Sequence, residues 1–399
     1  MAQQHDIVIY GATGFVGKLL CQYFDDKENF DLNWAIAGRS QSKLKKLRDG
    51  LNSDPAIIQA DSEDLDSLRK LVSAARVVVS TVGPYAKYGS DLVRLCAEHG
   101  THYCDLTGEV QWIHQMIQET DSVAAQSGAR IVHCCGFDSI PSDIGCQVLQ
   151  EEFHAKFGKP ASEVKFGLID AKGGYSGGTI ASLINVLKEG SEDNNKAKVL
   201  ADPCALNAEG RTWETANTKS GGNFDPDFGW TAPFVMASIN SRIVRRSASL
   251  RPELYGDALE YQEYTAVGEG AGKFVKAQSM KIGTGLVMSV LGTETGRFFA
   301  EKFLPKAGEG PDEQLRKNGF FKIRMLGQAG DQKMNIQING KGDPGYAATV
   351  RMLGTAAIFL SNGWWRKGSE PGNRTTSYFF DRRFADALGK EGISFVVGS

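Results

Sequence analysis

Residues 6 to 17 read Asp-Ile-Val-Ile-Tyr-Gly-Ala-Thr-Gly-Phe-Val-Gly, a short apolar strand that runs into glycines at 11, 14 and 17 and then into a helical pattern reaching Phe24. A strand that enters such a turn and leaves it as a helix is the opening of a nucleotide-binding βαβ unit. Gly11 permits the tight turn, Gly14 removes a side chain where a pyrophosphate approaches, and Gly17 lets the helix lie close on the strand. Ala12, Thr13, Phe15 and Val16 complete the loop, and the free N–H groups of the first helical turn attract phosphate. The spacing is GxxGxxG and not GxGxxG, so glycines that serve packing alone are the competing reading. The surrounding chain has to decide between them.

That chain alternates. β-rich runs at Ile7–Tyr10, Trp34–Ala37, Ile57–Ala60, Val77–Thr81, His102–Leu106 and Arg130–Cys134 are separated by helix-length segments such as Ser42–Leu51 and Leu65–Ala74. This rhythm predicts an α/β fold, a doubly wound parallel sheet of Rossmann type over residues 1–155, with its ligand crevice beyond the C-terminal ends of the strands. After about residue 155 the elements lengthen, glycines cluster and Asp193–Asp227 shows little periodicity, which marks a second domain over 156–343. Within it, Phe320–Gln328 and Lys333–Lys341 alternate apolar and polar residues around Ala329-Gly330-Asp331-Gln332, an antiparallel hairpin. Asp343-Pro344-Gly345 then opens a helix, Tyr346–Leu360, expected to pack back on the first domain as part of a C-terminal segment, 344–399.

The second strand ends in Ala37-Gly38-Arg39-Ser40, where an NAD site places an acid for the ribose hydroxyls. Arg39 instead offers a planar, permanently charged fork for a 2′-phosphate, Ser40 a donor and Lys43 further positive charge, so NADP(H) is the expected cofactor. A solvated basic helix start is the bland alternative. Asp61, past the third strand, either accepts from the adenine amino group or caps the following helix. Thr81, Val82, Gly83, Pro84 and Tyr85 end the fourth strand in a turn on the nicotinamide side of the crevice.

Catalytic candidates sit at the same end of the sheet. Tyr85 either donates to a substrate oxygen or packs its ring on the nicotinamide. Asp138 and Ser139 stand at a strand-to-helix corner before Pro141, where they either cap the helix or, with its N–H donors, face the reacting atoms.

Taken together, Gly-Ala-Thr-Gly, Gly83-Pro84-Tyr85, His102-Tyr103-Cys104-Asp105-Leu106-Thr107-Gly108-Glu109 and Gly136-Phe137-Asp138-Ser139-Ile140-Pro141-Ser142-Asp143 resemble the saccharopine dehydrogenase-like oxidoreductases, in particular their trans-acting enoyl reductase branch. The resemblance continues through Ser176–Ser182, Pro233–Met236, Arg245-Arg246-Ser247 and Gly345-Tyr346. It implies an N-terminal Rossmann domain, an inserted α+β domain for substrate or dimerisation, a chain that returns to the first domain, and NADP-linked oxidoreduction. The basic cluster with which saccharopine dehydrogenases proper hold an amino acid has no counterpart here residue by residue.

Composition removes other classes. The 399 residues carry 45 Lys+Arg against 47 Asp+Glu, a net −2 that offers nothing to a nucleic-acid backbone. No run reaches the roughly 18 uncharged apolar residues of a membrane span, although peripheral membrane contact stays open. Met1–Asp6 lacks a secretory signal and the seven cysteines include no Cys-x-x-Cys, which together predict a cytoplasmic protein with free thiols. Cys134 and Cys135 would point to opposite faces of a strand, the six histidines are scattered, and no metal site is expected. A Gly-x-Ser-x-Gly hydrolase elbow is absent.

The expected function is therefore NADPH-dependent reduction of an enoyl or related conjugated carbonyl group in a lipid-like acyl substrate, free or carrier-bound. Phe228–Ile239 and Leu286–Leu291 are apolar stretches suited to lining a groove for a long chain, or simply to the core. A non-catalytic NADP(H)-binding regulator and a saccharopine-type amino-acid dehydrogenase are the alternatives, and a homodimer is compatible with any of them.

Overall fold

The computed structural model describes residues 4–26, 32–173, 177–208, 211–213, 221–297 and 312–398. Its first six strands are β1 (His5–Tyr10), β2 (Trp34–Gly38), β3 (Ala56–Gln59), β4 (Ala75–Ser80), β5 (His102–Asp105) and β6 (Arg130–Val132). β1 is flanked by β2 and β4, and β13 (Gly372–Arg374) adds to the far edge, giving the parallel order β13-β6-β5-β4-β1-β2-β3. The order reverses between β1 and β4, so the switch-point crevice opens beside the glycine loop. β1 and β4 are buried on both faces because helices cover both sides.

The second sheet contains β7 (Glu163–Lys172), β8 (Phe224–Asp225), β9 (Gly229–Pro233), β10 (Glu260–Gly268), β11 (Phe320–Ala329), β12 (Gln332–Lys341) and β14 (Ile393–Val397), in the order β14-β12-β11-β7-β10-β9-β8. The predicted hairpin is β11 and β12, paired in register from Phe320↔Lys341 to Ala329↔Gln332. Alternate residues Phe321, Ile323 and Met325 of β11 and Ile336 and Ile338 of β12 are buried on one face. The helix Ile140–Phe157 packs on that face, close enough that a Cβ on Gly145 would stand 2.5 Å from Ile338 Cδ1. One apolar core consequently runs from Ile7 and Ile9 through this helix and Thr349–Ser361 to the second sheet.

Two expectations about the chain's path need correction. The C-terminal segment does return to the first domain through Thr349–Ser361 and β13, but its last strand, β14, pairs with β12 of the second sheet. Strand pairing beyond a long connection is set by the free edge that β12 presents, which no local pattern encodes. The sixth strand also stops at Val132, before Cys134, whose φ of 61° is left-handed. Its N–H bonds Asp105 Oδ1 at 3.1 Å, so the chain turns around the end of β5 and Cys134 and Cys135 do not alternate as in a strand.

A buried carboxylate locks the C-terminal segment down. Asp143 accepts from Ser247 Oγ (2.5 Å), Thr376 Oγ1 (2.5 Å), Ser377 N (2.8 Å) and Ser377 Oγ (2.9 Å). Burial raises its pKa and these donors oppose the rise. Asp143→Ala leaves four donors without their acceptor. The expected loss is about 3 kcal/mol or more in urea unfolding, with hydrogen exchange rising first around 372–377; unchanged exchange there would remove Asp143 as the anchor.

Candidate active site

The glycine loop has the form its sequence implies. Gly11 sits at φ +86°, and a Cβ there would meet Thr81 Oγ1 at 2.7 Å and Val82 Cγ2 at 2.6 Å, so the end of β4 closes directly over the turn. On Gly17 a Cβ would lie 2.2 Å from Gly11 O, which only glycine avoids. Gly14 differs: its neighbourhood is open except for Gly11 O at 3.2 Å. As N-cap of the helix Phe15–Asp25 it has no side chain to bond the first-turn N–H groups, which leaves donors and space together for a pyrophosphate.

Along the crevice, Arg39 is exposed at the end of β2 with its guanidinium in no hydrogen bond to a described residue, as a 2′-phosphate ligand requires. Ser40 caps the next helix, its Oγ accepting from Lys43 N at 3.5 Å, and Lys43 is exposed beside it. Asp61 is not a helix cap. Asp64 takes that position, bonding Asp66 N and Ser67 N, while Asp61 Oδ1 accepts from Glu63 N. Tyr10 lies close to both Arg39 and Asp61, and burial pushes its hydroxyl up to about 12.

Of the two roles open to Tyr85, the structure bears on the first, because its hydroxyl is already engaged within the protein. Its hydroxyl donates to Ser80 O (3.1 Å) and accepts from Leu106 N (3.2 Å), tying the ends of β4 and β5 together, and its side chain is buried against Trp112. Burial first, then the charge of Asp105, raises its pKa well above the ordinary tyrosine value. Tyr85 is a strut. Glu109 has a similar positioning role that sequence reasoning missed. Its carboxylate accepts from Tyr85 N (2.8 Å), Ala86 N (3.0 Å) and Ser182 Oγ (2.9 Å), so it holds the Gly83-Pro84-Tyr85 turn against the helix Gly177–Glu192 of the second domain. The one available signal was its place at the end of the His102–Glu109 segment.

At the corner before the helix Ile140–Phe157, Ser139 occupies the N-cap but its hydroxyl makes no cap bond. It donates instead to Asn240 Oδ1 at 3.1 Å. Asp138 keeps partial exposure, has no side-chain bond to a described residue, and is pushed up to about 6 by burial. Neither residue therefore caps the helix.

The Ser139 contact leads into the second domain. Asn240 Nδ2 donates to Glu263 Oε2 (2.9 Å), and Tyr261 OH donates to Glu263 Oε1 (2.6 Å). Glu263 is 5% exposed, and burial pushes its carboxyl up to about 7. It lines a cavity of about 490 Å³ together with Leu183, Phe234, Val235, Arg242 and Met288. Arg242 makes no ion pair among the described residues; its guanidinium bonds the carbonyls of Leu200, Asp202 and Ser238. The cavity is thus apolar at Leu183, Phe234, Val235 and Met288 and polar at Ser238, Ser241, Gln262 and Thr284, with one cation and one carboxyl whose pKa burial raises. Leu183 on its wall adjoins Ser182, which bonds Glu109 beneath the Gly83 turn, so the helix Gly177–Glu192 borders both the cavity and the crevice.

Of the two apolar stretches, Pro233, Phe234, Val235, Ala237 and Met288 reach this cavity, whereas Phe228 packs on Tyr264 and Leu286, Val287 and Val290 face outward. The glycine loop has a further neighbour absent from the sequence reading. Arg316, from the helix Glu313–Asn318 just before β11, has its guanidinium 5.3 Å from the centroid of the Phe15 ring, which meets Tyr346 in a T-shaped contact with centroids 4.8 Å apart.

A family model for the saccharopine dehydrogenase NADP-binding domain matches residues 7–132. A putative trans-acting enoyl reductase of Mycobacterium tuberculosis is 35% identical over 377 residues, 90% of this chain and 89% of that protein. A trans-acting enoyl reductase of Mycobacterium ulcerans is 30% identical over 378 residues with the same coverage. In fold, the chain is similar to apo saccharopine dehydrogenase (L-Glu forming) from Saccharomyces cerevisiae, with a TM-score of 0.50 and 12% identity over 98% of this chain and 99% of that one.

Proposed function

The chain belongs to the trans-acting enoyl reductases of the saccharopine dehydrogenase-like family, and on that premise we propose that it reduces the carbon–carbon double bond of an α,β-unsaturated acyl thioester, using NADPH. The observation that carries this reading is the cavity beside the crevice, with apolar walls for an acyl chain and Arg242 and Glu263 as its charged and titratable groups. A pocket for a saccharopine-type amino acid would need basic side chains for its carboxylates, and this lining supplies one, Arg242, whose guanidinium is already engaged by the carbonyls of Leu200, Asp202 and Ser238.

Gly11 to Gly17 would hold the pyrophosphate, Arg39, Ser40 and Lys43 the 2′-phosphate, Asp61 the adenine, and Thr81 to Tyr85 the backbone wall of the nicotinamide side. NADPH bound in this way supplies the hydride for the β-carbon. The chain's own tasks are to orient the acyl group, exclude water, stabilise the negative charge that develops on the thioester oxygen, and deliver a proton to the α-carbon. The positive wall at Arg242 favours that charge. In place of Tyr85, we assign proton delivery to Glu263, which opens on the cavity and, with a pKa of about 7, is protonated over a useful range. Ser139 and Asn240 position Glu263 through their hydrogen bonds, and Asp138 supplies a second partly protonated carboxyl at the helix N-terminus. The acyl chain is expected to arrive on a carrier.

The test is NADPH oxidation with long-chain enoyl thioesters, compared with saccharopine and with aminoadipate semialdehyde plus glutamate. Turnover of the enoyl thioesters alone is expected. Because a general acid must be protonated, kcat should fall as pH rises through about 7. Glu263→Gln should cost about 100-fold in kcat and flatten that descending limb. Turnover of the amino acids alone would refute the substrate class, and an unchanged limb in Glu263→Gln would refute the donor.

A further inference from the structure

The helix Ala271–Leu291 is apolar on its outside. Ala277 and Leu291 are buried and Thr284 and Met288 line the cavity, which defines the inner face. The opposite side carries Val275 (61% exposed), Ile282 (69%), Leu286 (64%) and Val290 (47%), with Val287 exposed beside them, while Phe274 packs its ring on Trp230. Scattered exposed apolar residues are ordinary, but five on one side of one helix form a patch that water disfavours. The helix also contains Lys273, Lys276 and Lys281 and not one Asp or Glu.

We propose that this helix lies on an anionic lipid bilayer surface, with its apolar side in the acyl boundary and its lysines reaching the headgroups. No helix among the described residues is long and apolar enough to cross a membrane, so the mode is interfacial and not spanning. Charge decides between occupants. A second copy of the same helix would bring further lysines and no carboxylate to meet them, and an acidic carrier protein would satisfy the lysines but leave the apolar residues against a polar surface. An anionic bilayer satisfies both. The inner face of the same helix walls the acyl cavity, so docking would bring that cavity to the lipid phase. This last step rests on the acyl reading proposed above, whereas bilayer binding requires no turnover, and the two can fail separately.

The experiment is flotation of the full-length protein, with NADPH present, on vesicles of phosphatidylcholine alone and of phosphatidylcholine with phosphatidylglycerol. Wild type is expected to float with the anionic vesicles and much less with the neutral ones. Ile282→Asp combined with Leu286→Asp should lower partitioning at least about tenfold, and Lys276→Glu should weaken binding to the anionic vesicles only. Both positions of the double variant are exposed, and unchanged NADPH affinity and thermal unfolding would report an intact fold. Val275→Asp is the second variant if the first does not fold. Absence of wild-type flotation, or equal flotation of all variants, would overturn the proposal. So would a wild-type dimer on sedimentation that the aspartates dissociate while vesicle partitioning stays the same, or binding to an acidic carrier protein in place of vesicles.

Discussion

Gly14→Val is expected to abolish binding of NADPH and NADH while the protein stays folded. Gly14 has φ −71° and ψ 171°, an extended conformation that valine adopts without strain, and the one atom near a new Cβ is Gly11 O at 3.2 Å. The folding cost is that of a poor N-cap, about 1 kcal/mol. The binding cost is far larger, because the isopropyl group would fill the space into which the pyrophosphate must come to reach the helix N–H groups, and a loss of about 100-fold or more is expected. Fluorescence titration with both cofactors, beside a thermal melt, gives the answer. Full retention of binding would move the cofactor away from this loop. Gly17→Ala provides the contrast, since its Cβ would collide with backbone at 2.2 Å and should damage the fold itself.

Arg39→Asp is expected to reverse the cofactor preference. Arg39 is exposed and its guanidinium bonds no described residue, while its backbone carbonyl, which accepts from Gln59 Nε2, is kept by the substitution, so the replacement removes no side-chain contact. Wild type should bind NADPH at least about tenfold tighter than NADH, through charge-assisted bonds to the 2′-phosphate. In the variant an acid repels that phosphate and accepts from a free ribose hydroxyl, so NADPH affinity should fall and NADH affinity rise. Equal wild-type affinities, or a variant that still prefers NADPH, would refute the role of Arg39.

These two residues were legible because their chemistry is local. Gly14 is identified by its place in a strand-turn-helix junction a dozen residues long, and Arg39 by its place at the end of the next strand. The six strands of the first domain and the β11–β12 hairpin were legible for the same reason, since short β-rich apolar runs in the former and apolar–polar alternation in the latter are properties of neighbours in sequence. Tyr85 shows the limit. Its position at the end of the fourth strand was evident, but whether its hydroxyl is free depends on Ser80 O and Leu106 N, and the latter belongs to a different strand connection.

The chain's own order of residues was enough to establish a doubly wound parallel-sheet domain and to place a glycine loop and the basic Arg39 at its crevice, because turn geometry, strand period and side-chain charge act over a few residues. Contacts made across the chain established the rest. Ser139 meets Asn240 across 101 positions and Asp143 meets Thr376 across 233, and no period or spacing links such pairs. Glu263 is an unremarkable acid in an alternating strand until Tyr261, Asn240 and the surrounding protein remove it from water, which is what raises its pKa. Leu286 and Leu183 are equally apolar as letters, yet one faces solvent and the other a cavity. Burial is conferred by neighbours that the fold assembles from distant segments, and so are the raised pKa of Glu263, the cavity it lines and the outward apolar helix.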